Sequence, residues 1–154
     1  MKIGLVGCGM VGAATAYTLV LEGVGRDLVL VDIDEDRARA EAADIRHAVP
    51  FTPNMSVTAG DYPDLDGAQL VIVTAGAAQK PGQTRLDVLD QNVPIFKNII
   101  PRILTNAPEA VLVITTNPVD VLTQVSAVLA QDHGVPSSRI IGSGTILDTA
   151  RFRS

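Results

Sequence analysis

The sequence predicts an α/β protein built on a doubly wound parallel sheet of six strands. Short runs of Val, Leu and Ile alternate along the chain with longer segments typical of helices, which is the pattern of repeated strand–helix–strand units. Of the 154 residues, 47% are hydrophobic but only 3% are aromatic, so the core is aliphatic, as suits strands covered by helices on both faces. The expected strand order is 3-2-1-4-5-6.

The first part of the chain supplies three predicted strands and two helices. Apolar runs predict strands at residues 3–6, 28–31 and 55–59. The first helix is expected from residue 10 to residue 22, where Gly23 and Gly25 end it. The second helix is expected to begin at Asp34 or Glu35 and to continue to about residue 48, before Pro50.

The remaining strands are predicted at residues 70–74, 111–116 and 139–141. The polar residues 77–84 predict a surface loop, and a helical region follows from residue 86 to about residue 104. Because proline disfavours helix interiors, Pro94 and Pro101 are expected to mark joins in that region. Pro118 suits the first turn of the next helix, and a last helix is expected to start in residues 142–145.

A glycine motif joins the first strand to the first helix. Gly7 allows a tight turn, Gly9 allows close approach of the backbone to a phosphate, and Gly12 allows the helix to pack against the strand. Asp32 stands twenty residues beyond Gly12, after the second strand, where a carboxylate accepts hydrogen bonds from an adenosine ribose and repels a 2′-phosphate. A glycine-rich turn of some other α/β protein would not explain this acid. The motif predicts a Rossmann dinucleotide site that prefers NAD to NADP.

Composition excludes several classes of function. The formal net charge is −5 and no basic block is present, which argues against nucleic-acid binding. No apolar stretch approaches the roughly 20 residues of a membrane span. The single cysteine, Cys8, has no partner for an internal disulfide and is read as a small filler of the turn, so we expect a cytoplasmic protein. This cysteine and the scattered His47 and His133 give no metal-ligand spacing, and no metal is expected.

Four polar residues outside the glycine motif are candidates for chemistry. Arg85 follows the surface loop, Asn117 follows the fifth strand, and Asp148 and Arg151 share the last helix at positions i and i+3. Each has a simpler interpretation: a solvated helix start, a helix N-cap, and a local ion pair. Together beside a dinucleotide site, they indicate a pocket for a small anion with a carbonyl group, since guanidinium groups bind carboxylates and polarise carbonyls.

Four segments of the chain, residues 6–12, 75–85, 116–120 and 142–153, together resemble the lactate/malate dehydrogenase family. The resemblance implies reversible hydride transfer between NADH and a 2-oxo acid, giving an L-2-hydroxy acid. It also implies a homo-oligomer, a tetramer in this family.

The resemblance also implies a role for individual residues. Arg85 would polarise the substrate carbonyl, Asn117 would bind a substrate oxygen, Arg151 would bind the carboxylate, and Asp148 would hold the catalytic histidine. The residues that would contact NAD are Gly7, Gly9, Val11, Gly12, Asp32, Arg37, Tyr62, Gly76, Ala77, Asn98, Thr115, Thr116, Asn117 and Ser143.

Two further residues bear on substrate choice and regulation. Malate-specific members carry an arginine where this chain has Gln79, and a neutral amide offers no charge to a second carboxylate, so pyruvate and lactate are expected as substrates. A malate dehydrogenase is the alternative. Arg153 matches a position that binds fructose 1,6-bisphosphate between subunits in bacterial lactate dehydrogenases, although a plain surface arginine fits as well.

The domain organisation follows from the resemblance. Residues 1–142 would form the NAD-binding domain, and residues 143–154 would begin the helix that leads into a substrate domain carrying the catalytic histidine. His47 and His133 are expected in surface or interface roles instead. A non-catalytic, free-standing NAD-binding module is the second class of function that the sequence allows.

Overall fold

The computed structural model describes residues 1–52, 55–78 and 81–153, without the side chains of Arg85 and Leu147. Its centre is a six-stranded parallel sheet in the order β3-β2-β1-β4-β5-β6, which confirms the predicted fold class and strand order. The strands are β1 (Lys2–Val6), β2 (Asp27–Val31), β3 (Ser56–Ala59), β4 (Leu70–Val73), β5 (Val111–Ile114) and β6 (Ile140–Gly142).

Helices connect the strands on both faces of the sheet. They are α1 (Met10–Leu21), α2 (Glu35–Arg46), α3 (Arg85–Asn106), α4 (Val119–Gln131) and α5 (Ile146–Arg153). Short 3₁₀ turns occur at Val49–Phe51, Tyr62–Leu65 and Ser137–Arg139.

Two aliphatic clusters pack against the two faces of the sheet. Alternate residues of β1 divide between them: Ile3 and Leu5 belong to the cluster under α1 and α2, and Val6 belongs to the cluster under α3 and α4. Phe96 of α3 is fully buried and is the only phenylalanine among the described core residues. The sheet is therefore buried on both sides, as the low aromatic content predicts.

The strand register brings the carboxyl ends of the central strands to one edge. Val6 of β1 pairs with Val31 of β2 and with Val73 of β4, which in turn pairs with Ile114 of β5. The segments that follow these four strands leave the sheet side by side. This carboxyl edge is the place where open α/β sheets bind ligands.

The prediction that Pro94 and Pro101 mark joins was wrong, because α3 is one helix of 22 residues with both prolines inside it. Its start is fixed by a capping box, in which Thr84 and Asp87 exchange hydrogen bonds. Its apolar face buries Phe96, Ile100 and Ile103 completely. This burial offsets the backbone hydrogen bonds that the two prolines remove.

The expectation for Pro118 was also wrong in detail. The Asn117–Pro118 peptide bond is cis, and Pro118 occupies the N-cap position, so that α4 begins at Val119. No side chain caps this helix, so Asn117 is not an N-cap. Within the described ranges, no helix is both long and apolar enough to cross a membrane.

Candidate functional site: a cradle at the strand ends

The turn between β1 and α1 requires glycine at two positions. Gly7 has φ +104°, a left-handed conformation that side chains disfavour, and a Cβ there would overlap the backbone of Ala75. A Cβ on Gly12 would overlap the carbonyl oxygen of Gly7. These two glycines therefore shape the turn and hold α1 against the sheet.

Gly9 differs from both, because a Cβ on Gly9 would meet no described atom within 4 Å. It is the N-cap of α1, which has neither a side-chain cap nor an acidic residue in its first turn. The first intrahelical bond runs from the N–H of Ala13 to the oxygen of Gly9, which leaves the N–H groups of Met10, Val11 and Gly12 without partners inside the helix. The open space at Gly9 and the N–H groups of Met10, Val11 and Gly12, which together we call the cradle, fit a pyrophosphate.

Asp32 closes this cradle at the end of β2. One carboxylate oxygen accepts the N–H of Cys8 at 2.5 Å, and the other accepts the N–H of Asp34 at 2.9 Å. Both contacts fix the side chain beside the glycine turn, while the residue stays partly exposed. The cradle and an oriented carboxylate next to it are the parts that a dinucleotide needs.

Hydrogen bonds also tie the other strand ends to the cradle. The hydroxyl of Thr74, after β4, donates to the oxygen of Gly7 at 2.5 Å. The hydroxyls of Thr115 and Thr116, after β5, donate to the oxygens of Val73 and Ala75 at 2.9 and 2.8 Å. The segments after β1, β2, β4 and β5 therefore meet at one rim, which is the carboxyl edge of the sheet.

Close packing on this rim explains Gly76. A Cβ on Gly76 would lie 2.5 Å from Cγ2 of Thr116 and 3.1 Å from Oδ1 of Asn92. Asn92, on α3, is fully buried and hydrogen-bonds both to Ala77 and to Asn117. Sequence reasoning missed Asn92. The signal it left is a polar residue inside the apolar stripe of α3.

A second group of predicted residues lies towards β2 and β3. Tyr62 follows β3 and is buried, and the guanidinium of Arg102 lies 3.8 Å from the centre of its ring. Burial raises the pKa of the Tyr62 phenol, although the positive charge of Arg102 opposes this. Asn98 is exposed one turn before Arg102 on α3, and Arg37 is exposed in the first turns of α2. Among the described residues, no hydrogen bond or ion pair joins Asn98 or Arg37 to the cradle.

Several of the predicted site residues lie near the end of the described chain. The N–H of Ser143 bonds to the oxygen of Ile114, which places this serine beside the end of β5. On α5, Nη1 of Arg151 lies 3.4 Å from Oδ1 of Asp148, and both side chains are more than two-thirds exposed. Arg153 is exposed in the last turn of α5. Gln79 and the side chain of Arg85 lie outside the described residues.

Cys8 is a structural residue of the turn. Its thiol is buried and lies 3.8 Å from the oxygen of Val31. Burial first, and then the negative charge of Asp32, raise the pKa of the Cys8 thiol to about 12. The thiol therefore stays protonated near neutral pH and is a poor nucleophile.

The two histidines lie away from the rim. His47 ends α2 with its Nδ1 3.9 Å from Oδ1 of Asp44, both side chains being exposed. His133 is exposed after α4, and its Nδ1 lies 3.0 Å from the oxygen of Leu129. Among the residues described, no group of three potential metal ligands comes together.

The fold and the cradle define a dinucleotide-binding domain. The family described as "lactate/malate dehydrogenase, NAD binding domain" matches residues 1–142. The chain belongs to this lactate/malate dehydrogenase family, and it contains the family's NAD-binding domain.

Individual relatives agree with this assignment. The chain is 60% identical over its whole length to an L-lactate dehydrogenase of Geotalea daltonii and 58% identical to one of Thermus aquaticus, covering 49% of each. It therefore spans about half the length of the curated relatives it matches.

Solved structures give the same result. A minor L-lactate dehydrogenase from Enterococcus mundtii, in its ligands-bound form, matches 99% of the chain with a TM-score of 0.91 at 41% identity, over 48% of its own length. A malate dehydrogenase from Archaeoglobus fulgidus, in complex with NADH, also gives a TM-score of 0.91, at 39% identity, over 99% of the chain and 52% of that structure.

Proposed function

We propose that this chain is the cofactor half of an NAD-dependent L-lactate dehydrogenase, which transfers hydride reversibly between NADH and pyruvate. The observation that carries the proposal is the cradle, which has open space at Gly9 and the carboxylate of Asp32 beside it. It lies on the same rim as Asn117. The choice of pyruvate is supported by the L-lactate dehydrogenases that share 60% and 58% identity with the chain.

NADH, when bound, supplies the hydride, and the chain supplies its binding site. The N–H groups at the start of α1, around Gly7, Gly9, Val11 and Gly12, hold the pyrophosphate. Asp32 accepts the hydroxyls of the adenosine ribose. The remaining cofactor residues line the rim on either side: Arg37, Tyr62 and Asn98 towards β2 and β3, and Gly76, Ala77, Thr115, Thr116, Asn117 and Ser143 towards β4, β5 and β6.

The substrate residues act on a carboxylate and a ketone. Arg151 binds the carboxylate through two parallel hydrogen bonds, and Asn117 binds a substrate oxygen. Arg85, at the start of α3 and directly after the surface loop, polarises the ketone as negative charge develops on its oxygen. Asp148 orients a histidine supplied by the part of the protein beyond this chain, and stabilises that histidine in its protonated form.

The residue proposed to select the substrate is Gln79. A neutral amide offers no positive charge to the second carboxylate of oxaloacetate. The cost of removing that carboxylate from water is therefore not compensated by an ion pair. A malate dehydrogenase is the rival function, and it is favoured by the match to the malate dehydrogenase of Archaeoglobus fulgidus.

Steady-state kinetics of the full-length protein with pyruvate and with oxaloacetate separate the two functions. We expect a higher kcat/KM for pyruvate, and we expect Gln79→Arg to move the ratio towards oxaloacetate by about tenfold or more, equivalent to about 1.4 kcal/mol. A parent enzyme that prefers oxaloacetate would show that it is a malate dehydrogenase. Tight NADH binding without turnover of either acid would indicate a non-catalytic module.

Further properties belong to this proposal. Residues 143–154 lead into the substrate domain, and the full protein is a cytoplasmic homotetramer. Arg153 contributes a positive charge to a site for fructose 1,6-bisphosphate between subunits, which is supported by its exposure at the end of α5.

A further inference from the structure

Asn92 is one of two described polar residues that are fully buried, and it makes contacts that join three separate segments of the chain. We propose that Asn92 is a positioning residue that holds the start of the loop after β4 and the backbone of Asn117 in the arrangement needed for substrate. This proposal rests on the proposed function, because it concerns the same rim.

The contacts use both ends of the amide. Oδ1 of Asn92 accepts the N–H of Ala77 at 2.7 Å, and Nδ2 donates to the carbonyl oxygen of Asn117 at 3.0 Å. Ala77 begins the loop after β4, and Asn117 follows β5. The carboxamide carries a donor and an acceptor on one carbon and so satisfies both backbone groups at once, which explains an amide in an apolar environment.

The surroundings leave little room for this amide to move. A Cβ on Gly76 would lie 3.1 Å from Oδ1 of Asn92, so the absence of a side chain at residue 76 permits the approach. The hydroxyl of Thr116 binds the oxygen of Ala75 at 2.8 Å and joins the same two segments. Asn92 therefore adds a further connection between the exits of β4 and β5.

The position of Asn92 on α3 extends the connection to Arg85. Asn92 lies seven residues, close to two helical turns, after Arg85, the first residue of α3. Anchoring α3 at Asn92 therefore also fixes the direction from which the helix start, with Arg85, meets the rim. One buried amide thus connects α3, the helix that begins at Arg85, to the backbone of Asn117.

The other fully buried polar residue, Ser126, provides a matched control. Its hydroxyl donates to the oxygen of Leu122, 2.7 Å away in its own helix α4. It connects no separate segments. Ser126 thus represents a buried hydrogen bond that stabilises the fold alone. Asn92 represents buried hydrogen bonds that also position the site.

The test compares Asn92→Asp, Asn92→Ser and Ser126→Ala in the full-length protein. In Asn92→Asp, one oxygen still accepts from Ala77, but the other oxygen of the ionised carboxylate faces the carbonyl of Asn117 without a proton to donate. We expect kcat/KM for pyruvate to fall at least tenfold in both Asn92 variants. The dissociation constant of NADH should rise by a smaller factor than kcat/KM falls, because Asn92 bonds to only two of the proposed cofactor residues, Ala77 and Asn117, and contacts neither the cradle nor Asp32. Ser126→Ala should change neither value more than twofold.

Hydrogen–deuterium exchange at Ala77 gives a second readout that does not depend on activity. The N–H of Ala77 should exchange slowly in the parent and much faster in Asn92→Ser. If neither variant folds, slow exchange of this N–H in the parent supports the proposal, and exchange as fast as in an unprotected loop overturns it. Folded variants that keep pyruvate kinetics within twofold of the parent also overturn it. A parent that reduces neither pyruvate nor oxaloacetate refutes the proposed function, whereas the exchange at Ala77 still decides whether Asn92 holds the loop.

Discussion

At the scale of single residues, Asp32 shows how one side chain serves both structure and binding. Its two oxygens accept the N–H groups of Cys8 and Asp34, and these contacts orient the carboxylate towards the glycine turn. A carboxylate has about four acceptor sites, so lone pairs remain for ribose hydroxyls. The sequence could predict the acid from its distance to Gly12. It could not predict the bond to Cys8, which depends on how β1 and β2 lie side by side.

Replacing Asp32 by Asn keeps the shape of the side chain, removes its charge, and leaves one of the two backbone N–H groups without its carboxylate acceptor. The amide keeps one acceptor oxygen but removes the negative charge, and hydrogen bonds to charged groups are about twice as strong as neutral ones. In the full-length protein we expect weaker NADH binding, stronger NADPH binding, and a fall of about tenfold in the preference for NADH, which corresponds to about 1.4 kcal/mol. Fluorescence titration with both cofactors measures this ratio. An unchanged ratio would remove Asp32 from cofactor selection.

Asn92 marks the limit of prediction from sequence at this scale. Its type and its place in an apolar stripe are visible in the sequence, but its partners are backbone groups of Ala77 and Asn117. Those groups become neighbours only when α3 packs across the strand ends. The roles of Arg85 and Gln79 remain proposals for a different reason, since they were carried over from family resemblance.

At the scale of elements, the β1–α1 turn and α3 show two different outcomes. The turn was predictable because its glycines are required by the local backbone, namely by a positive φ at Gly7 and by close backbone approach at Gly12. The continuity of α3 was not predictable from the sequence, because the low helix propensity of proline favours breaks at Pro94 and Pro101. The capping box at Thr84 and the buried apolar face of the helix outweigh that propensity.

Alanine substitutions in the turn distinguish packing from ligand binding. In Gly12→Ala, the new Cβ would overlap the oxygen of Gly7, so α1 must shift, and we expect a loss of about 1–3 kcal/mol in the free energy of unfolding. In Gly9→Ala, the Cβ meets no described atom within 4 Å, so stability should be unchanged while NADH binds at least tenfold more weakly. Denaturant unfolding and NADH titration of the full-length variants test both statements. Equal effects of the two substitutions on stability would contradict this division of roles.

At the scale of the whole molecule, the strand order determines which segments of the chain meet at the rim. The order 3-2-1-4-5-6 could be predicted because βαβ crossovers are right-handed and the glycine motif identifies the first strand as central. That order brings the exits of β1, β2, β4 and β5 to one rim. The chain spans about half the length of its curated relatives.

The most direct test of the account is a crystal structure of the full-length protein with NADH. We expect the pyrophosphate to lie against the backbone N–H groups between Gly9 and Gly12, and the adenosine ribose hydroxyls to bind the carboxylate of Asp32. NADH bound elsewhere, or a cradle that stays empty at a saturating concentration of NADH, would contradict the central claim.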